Sequence, residues 1–140
     1  MGNDFEFIEQ VLDQVERRRS ETGRAPLTEA EQVATDLWAA AGIIGNGSFQ
    51  YFFECDLDAE ACAKAYEAVG LPQGARLFRL ALSLFPEGKV HSDISERLDF
   101  IREHEGAFDS LGMEVVRLDT LMRSSLAAYL RRAGFPKRDS

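Results

Sequence analysis

The candidate metal ligands and nucleophiles of the chain are two histidines, His91 and His104, and two cysteines, Cys55 and Cys62. His104-Glu105 opens like the His-Glu-x-x-His zinc motif, in which both histidines share one helix face and the glutamate acts as base. Phe108 occupies the place of the second histidine. A zinc site takes three or four closely spaced ligands, and these four residues show no such spacing. The cysteines are seven positions apart, which makes neither a Cys-x-x-Cys pair nor a disulfide framework; they read as small apolar residues in a reduced compartment. Gly45-Asn46-Gly47 resembles a fragment of a phosphate loop but lacks the Lys-Ser/Thr that would hold phosphate and magnesium. It reads instead as a turn between helices, with Gly47 the residue expected at positive φ. The nucleophile elbow Gly-x-Ser-x-Gly is absent. The expectation is a protein that is not an enzyme and takes no metal and no cofactor. A small enzyme with no recognisable motif is the alternative.

The carboxylates say more. The chain has 140 residues and a net charge of −8. Residues 1–60 carry 13 acidic and 4 basic side chains, a net of −9, while residues 61–140 carry 11 and 12, a net of +1. The first half repels phosphate, so direct nucleic-acid binding is not expected, and a basic protein is the partner that such a surface suits. Asp36, Glu54, Asp56, Asp58 and Glu60 are the candidate partner-binding residues, expected on one exposed face with Glu29 or Glu31 nearby. The competing expectation is that these carboxylates are scattered and only solvated.

Helical periodicity must position these groups. Phe5, Ile8, Val11, Leu12 and Val15 follow at three- and four-residue steps behind an Asn3/Glu6 capping pair, and Gly23 and Pro26 close that segment. Thr28 with Glu31 opens a second helix carrying Val33, Ala34, Leu37, Trp38 and Ala41. After the glycines, Phe49, Phe52 and Phe53 share one face of a short helix that enters the core, which leaves Gln50, Tyr51 and Glu54 pointing elsewhere. Asp58 caps a helix ending at Gly70. Pro72 to Phe85 is the most apolar stretch, expected at the centre of the fold with Phe78 and Leu82 nearly fully buried. Asp93 with Glu96 opens another helix, Phe108 to Gly112 reads as a connector, and the last helix closes at Gly134-Phe135-Pro136. Long alternating runs are absent.

The fold class expected is therefore all-α: a compact single-domain bundle of six or seven helices over residues 1–136, with 137–140 a short tail. No apolar run is long enough to cross a membrane, and no basic segment precedes an apolar one at the N-terminus, so a cytoplasmic protein without membrane contact is expected.

Three stretches resemble a bacterial family whose named member is a DNA-mimic protein. GNGSFQYFFE, residues 45–54, is similar to the family's Asn-Gly-Gly-Phe…Gln-Tyr-Phe signature, with a one-residue shift. AEACAKAYEAVGLPQGARLFRLALSLFP, residues 59–86, is similar to its alanine-rich helix, glycine turn and helix ending in Phe-Pro. Leu118-Asp119 through Ala128-Tyr129-Leu130 carries the third likeness, and together they span roughly residues 28–130. The family motif falls on Gly45, Asn46, Gly47, Phe49, Gln50, Tyr51 and Phe52. The resemblance implies an all-helical domain that occupies the basic surface of a DNA-binding regulator. An immunity-type inhibitor that binds a toxin is the alternative within binding proteins. A homodimer would double the charge that one chain presents.

Overall fold

The structure, a computed structural model, describes residues 3–136. The tail expected at 137–140 lies outside them. Among the described residues there are seven α-helices and no strand: α1 (Asp4–Glu21), α2 (Glu29–Glu54), α3 (Ala59–Ala68), α4 (Pro72–Ser83), α5 (Ile94–Glu103), α6 (Glu105–Arg117) and α7 (Asp119–Arg132). A short 3-10 turn, Pro86–Gly88, separates α4 from α5.

Four of the helices, α1, α2, α3 and α5, begin where a side chain satisfies a free N–H group of the first turn. Asn3 accepts from Glu6 N–H at 3.2 Å, Asp58 from Ala61 N–H at 3.0 Å, and Asp93 from Glu96 N–H at 2.9 Å. At α2 the capping box is complete, since Glu31 also accepts from the Thr28 N–H at 2.8 Å. Glu31 is buried, and Arg18 from the end of α1 reaches it at 2.5 Å, which clamps the two helix ends together.

The core is aromatic. Phe49, Phe52 and Phe53 from the second part of α2 meet Phe78, Phe85 and Phe108, with ring centroids 5.2 Å apart for Phe49–Phe78 and 5.0 Å for Phe53–Phe85. Phe78 has no exposure, as expected. Leu82 is half-buried instead of enclosed, and Leu80 is 40 % exposed, because α4 lays only the Gly74, Ala75, Phe78, Ala81 face against its neighbours. The element that the others wrap is α2, which packs on α1, α3, α5, α6 and α7.

Phe108 to Gly112 is not a connector but the middle of α6. Weak helix formers (Gly106, Asp109, Ser110, Gly112) hide the period in sequence. Tertiary packing restores it: Phe108 and Val115 are buried, and Gly112 passes so close to Ser48 that a Cβ there would collide with the Ser48 Oγ. The break in α2 also differs by one residue from the expectation. Gly47 has φ −156°, and Ser48 takes the positive value, φ 60° with ψ −166°. Glycine is still required at 47, for space instead of torsion: a Cβ there would stand 2.6 Å from the Cβ of Tyr51.

Candidate functional site

The five sequence-predicted carboxylates lie along the path from the middle of α2 to the first turn of α3. The structure brings Asp36 and Asp58 into one neighbourhood. Asp36 is half-buried on α2 and accepts from Gln32 Nε2 at 2.9 Å; burial raises its carboxyl above the ordinary aspartate range, Gln32 opposes this, and the Asp58 charge adds to the rise. Between them the Cys62 thiol lies 3.9 Å from the Asp36 carbonyl oxygen, and burial, followed by the charges of Asp36 and Asp58, pushes its pKa up to about 12. The Cys62 side chain is buried and packs as a small apolar residue.

The remaining three carboxylates differ in how much charge they have to offer. Glu54 is exposed at the end of α2 and makes no ion pair among the described residues. Asp56, at φ 57°, extends into solvent but reaches Arg97 at 3.3 Å. Glu60 is held by Arg79 of α4 at 2.9 Å, and the same guanidinium takes Glu67 at 3.0 Å, so Arg79 is raised and Glu67 lowered from their ordinary values by their mutual hydrogen bond. Glu29 contributes charge near Tyr129 of α7, and Glu31 is buried against Arg18.

Arg97 is a residue that periodicity could not single out. It is 6 % exposed and donates to three backbone carbonyls: Phe53 at 2.9 Å, His91 at 2.8 Å and Ser92 at 3.3 Å. Those carbonyls come from a helix end and a loop, so its role depends on tertiary placement. It anchors the C-terminus of α2, and with it the position of Glu54 and Asp56.

The motif residues divide by direction. Phe49 and Phe52 are enclosed, Asn46 Nδ2 donates to the Gly42 carbonyl at 2.9 Å, and Gln50 and Tyr51 face solvent. Ser48 Oγ reaches the Phe108 carbonyl at 3.5 Å, which ties the break to α6.

No group of His, Cys, Asp and Glu among the described residues is arranged to hold a metal ion. His104 closes α5 and stacks on Phe100 at 4.2 Å, so His104-Glu105 straddles a helix boundary, where the zinc motif requires one continuous helix. His91 is half-buried against Phe85 and Phe100. Asp36, Cys62 and Tyr66, whose titration burial raises, line none of the four open surface grooves formed by Phe5 to Arg17, by Phe5 with Trp38 and Arg123, by Ile44 with Met113, and by Glu67 with Leu80. Among the described residues no helix is long and apolar enough to cross a membrane.

The stretches that carry the sequence likeness form the broken end of α2 with its buried aromatics, the α3–α4 pair joined through Gly70, and α7. Neither a curated protein nor a solved structure matches the chain. The model of the DMP19-like protein family matches residues 25–133, and the chain belongs to that family, whose named member is a DNA-mimic protein.

Proposed function

We propose that this domain is a non-enzymatic binding module that presents carboxylates to the basic surface of a DNA-binding regulator in the cytoplasm. The observation that carries the reading is the charge asymmetry, −9 over residues 1–60 against +1 over residues 61–140, in a member of a family named for DNA mimicry. The contact set is Asp36, Glu54, Asp56, Asp58 and Glu60. Within it Glu54, Asp58 and the solvent-facing side of Asp56 are the groups most able to meet a cation.

Magnitude limits the form of the mimicry. A compact domain of this length is roughly 35–40 Å across. Duplex DNA carries a charge about every 1.7 Å, so the same span of duplex holds ~20 negative charges. One chain therefore imitates a few phosphates, and a denser imitation needs a second copy of the chain.

Binding to a basic DNA-binding protein should weaken as salt rises, since mobile ions screen the attraction between exposed charges. Asp58 also caps α3, so Asp58→Lys would confuse loss of charge with loss of the cap. Asp58→Asn keeps a capping oxygen and removes the charge. Paired with Glu54→Gln, it should lower the salt slope and the affinity while leaving the melting temperature near wild type. Affinity indifferent to salt and to both substitutions would overturn the reading.

A further inference from the structure

The charge reading leaves the motif residue Gly45 unexplained. It lies in ordinary helical backbone, and a Cβ built there meets nothing within 4 Å. Glycine inside a helix costs about 1 kcal/mol relative to alanine. The fold gives no steric reason for it, unlike Gly47 and Gly112, where Tyr51 and Ser48 fill the space. Gly45 is one of the residues lining a groove of about 480 Å³ between the broken α2 and α6. Ile44 lines its depth, and Met113 and Val116 line its wall, 59 % and 49 % exposed and one turn apart on α6. Ser48, in a backbone region almost confined to glycine, also lines this groove and is fixed there by α6.

The rim says what chemistry fits. Arg117 is held by Glu114, so its charge is already answered. Asp109 is exposed and makes no ion pair among the described residues. The uncompensated rim charge is therefore negative beside an apolar wall. We infer that this groove seats an apolar anchor of the basic partner, with a lysine or arginine next to that anchor set against Asp109. The inference rests on the basic-partner reading and adds a second point of contact, away from Asp36 and Asp58, at which shape and not only charge selects the partner. A missing side chain at 45 gives the anchor its depth, and the exposed Met113 supplies an adaptable surface.

The test is an NMR titration of the full chain with three short synthetic peptides: an amphipathic leucine–lysine peptide, its leucine-to-serine counterpart of equal charge, and its lysine-to-glutamate counterpart. The leucine–lysine peptide should shift the Gly45 and Gly112 amides and the Met113 and Val116 methyl groups, and the other two should not. Gly45→Leu, which adds bulk at the groove lining, and Asp109→Lys should each weaken that binding about tenfold, and Met113→Asp, which makes the groove wall polar, should weaken it as well. Equal binding of the serine and leucine peptides overturns the groove inference. So do shifts confined to residues 36–60 together with a neutral Gly45→Leu, and in that outcome the charge reading stands alone. No shift with either lysine peptide removes both.

Discussion

Two close helix approaches in this molecule both depend on glycine, and they end differently. Where α3 returns as α4, Gly74 lies directly under the buried Tyr66 ring, and a Cβ there would run into the ring carbons. The surrounding rings close the space: Phe78 meets Tyr66 at 5.5 Å and Phe52 at 5.5 Å, and all three rings are buried. Where α2 crosses α6, Gly112 makes an equally close approach to Ser48, but that contact leaves a residue at positive φ, an unfilled groove and two exposed apolar side chains. The first crossing closes over buried rings. The second carries backbone strain and open apolar surface that stability does not call for, and regions of that kind are where binding is found.

Substitutions can break or sharpen this contrast. Phe78→Ala should have the largest effect, a loss of about 3–5 kcal/mol, because it removes the ring shared by α2, α3 and α4. A denaturant midpoint close to wild type would show that the closed crossing is not the centre of stability. Gly74→Ala comes next, costing about 1–3 kcal/mol by forcing a methyl into a ring that has nowhere to go. Its counterpart Gly45→Ala should run the other way and stabilise by up to about 1 kcal/mol, since the helix gains propensity and the methyl enters open space. Thermal melts of the two, measured side by side, oppose each other in sign if the contrast holds.

Ser48→Gly should stabilise by about 1 kcal/mol, relieving the positive φ at the loss of one long hydrogen bond to the Phe108 carbonyl. A lower melting temperature would mean that the hydroxyl outweighs the strain. The smallest effect is expected at Asp36. Its folded carboxyl titrates above the unfolded one, so the charged form is disfavoured in the native state at neutral pH. That penalty is present above the folded pKa and vanishes as pH falls below the unfolded value of 3.8. Asp36→Asn keeps an acceptor for Gln32 and should raise the melting temperature at pH 7 but not at pH 3.

Local chemistry determined much of this protein from sequence. Asn3, Thr28, Asp58 and Asp93 mark helix starts because a short polar side chain satisfies N–H groups within its own turn. The phenylalanines of 49–53 read as core because their spacing shares a face. The charge asymmetry needs only counting. Tertiary structure decided the rest, since it turned on distances between segments far apart in the chain. Residues 108–112 became helix because Phe108 found Phe53 and Phe85. The positive φ fell on Ser48 and not on Gly47, at the point where Gly112 of α6 packs against the Ser48 side chain. Leu82 lost its place in the core because α4 has one buried face, whereas composition suggested a circumference. Arg97 gained a buried place because three carbonyls from α2 and the loop before α5 converge on it. Composition could count the carboxylates, but only the packed helices determined that Asp36 would share its surroundings with Asp58 while Glu60 went to Arg79, because charge pairing depends on distance and the sequence gives only order.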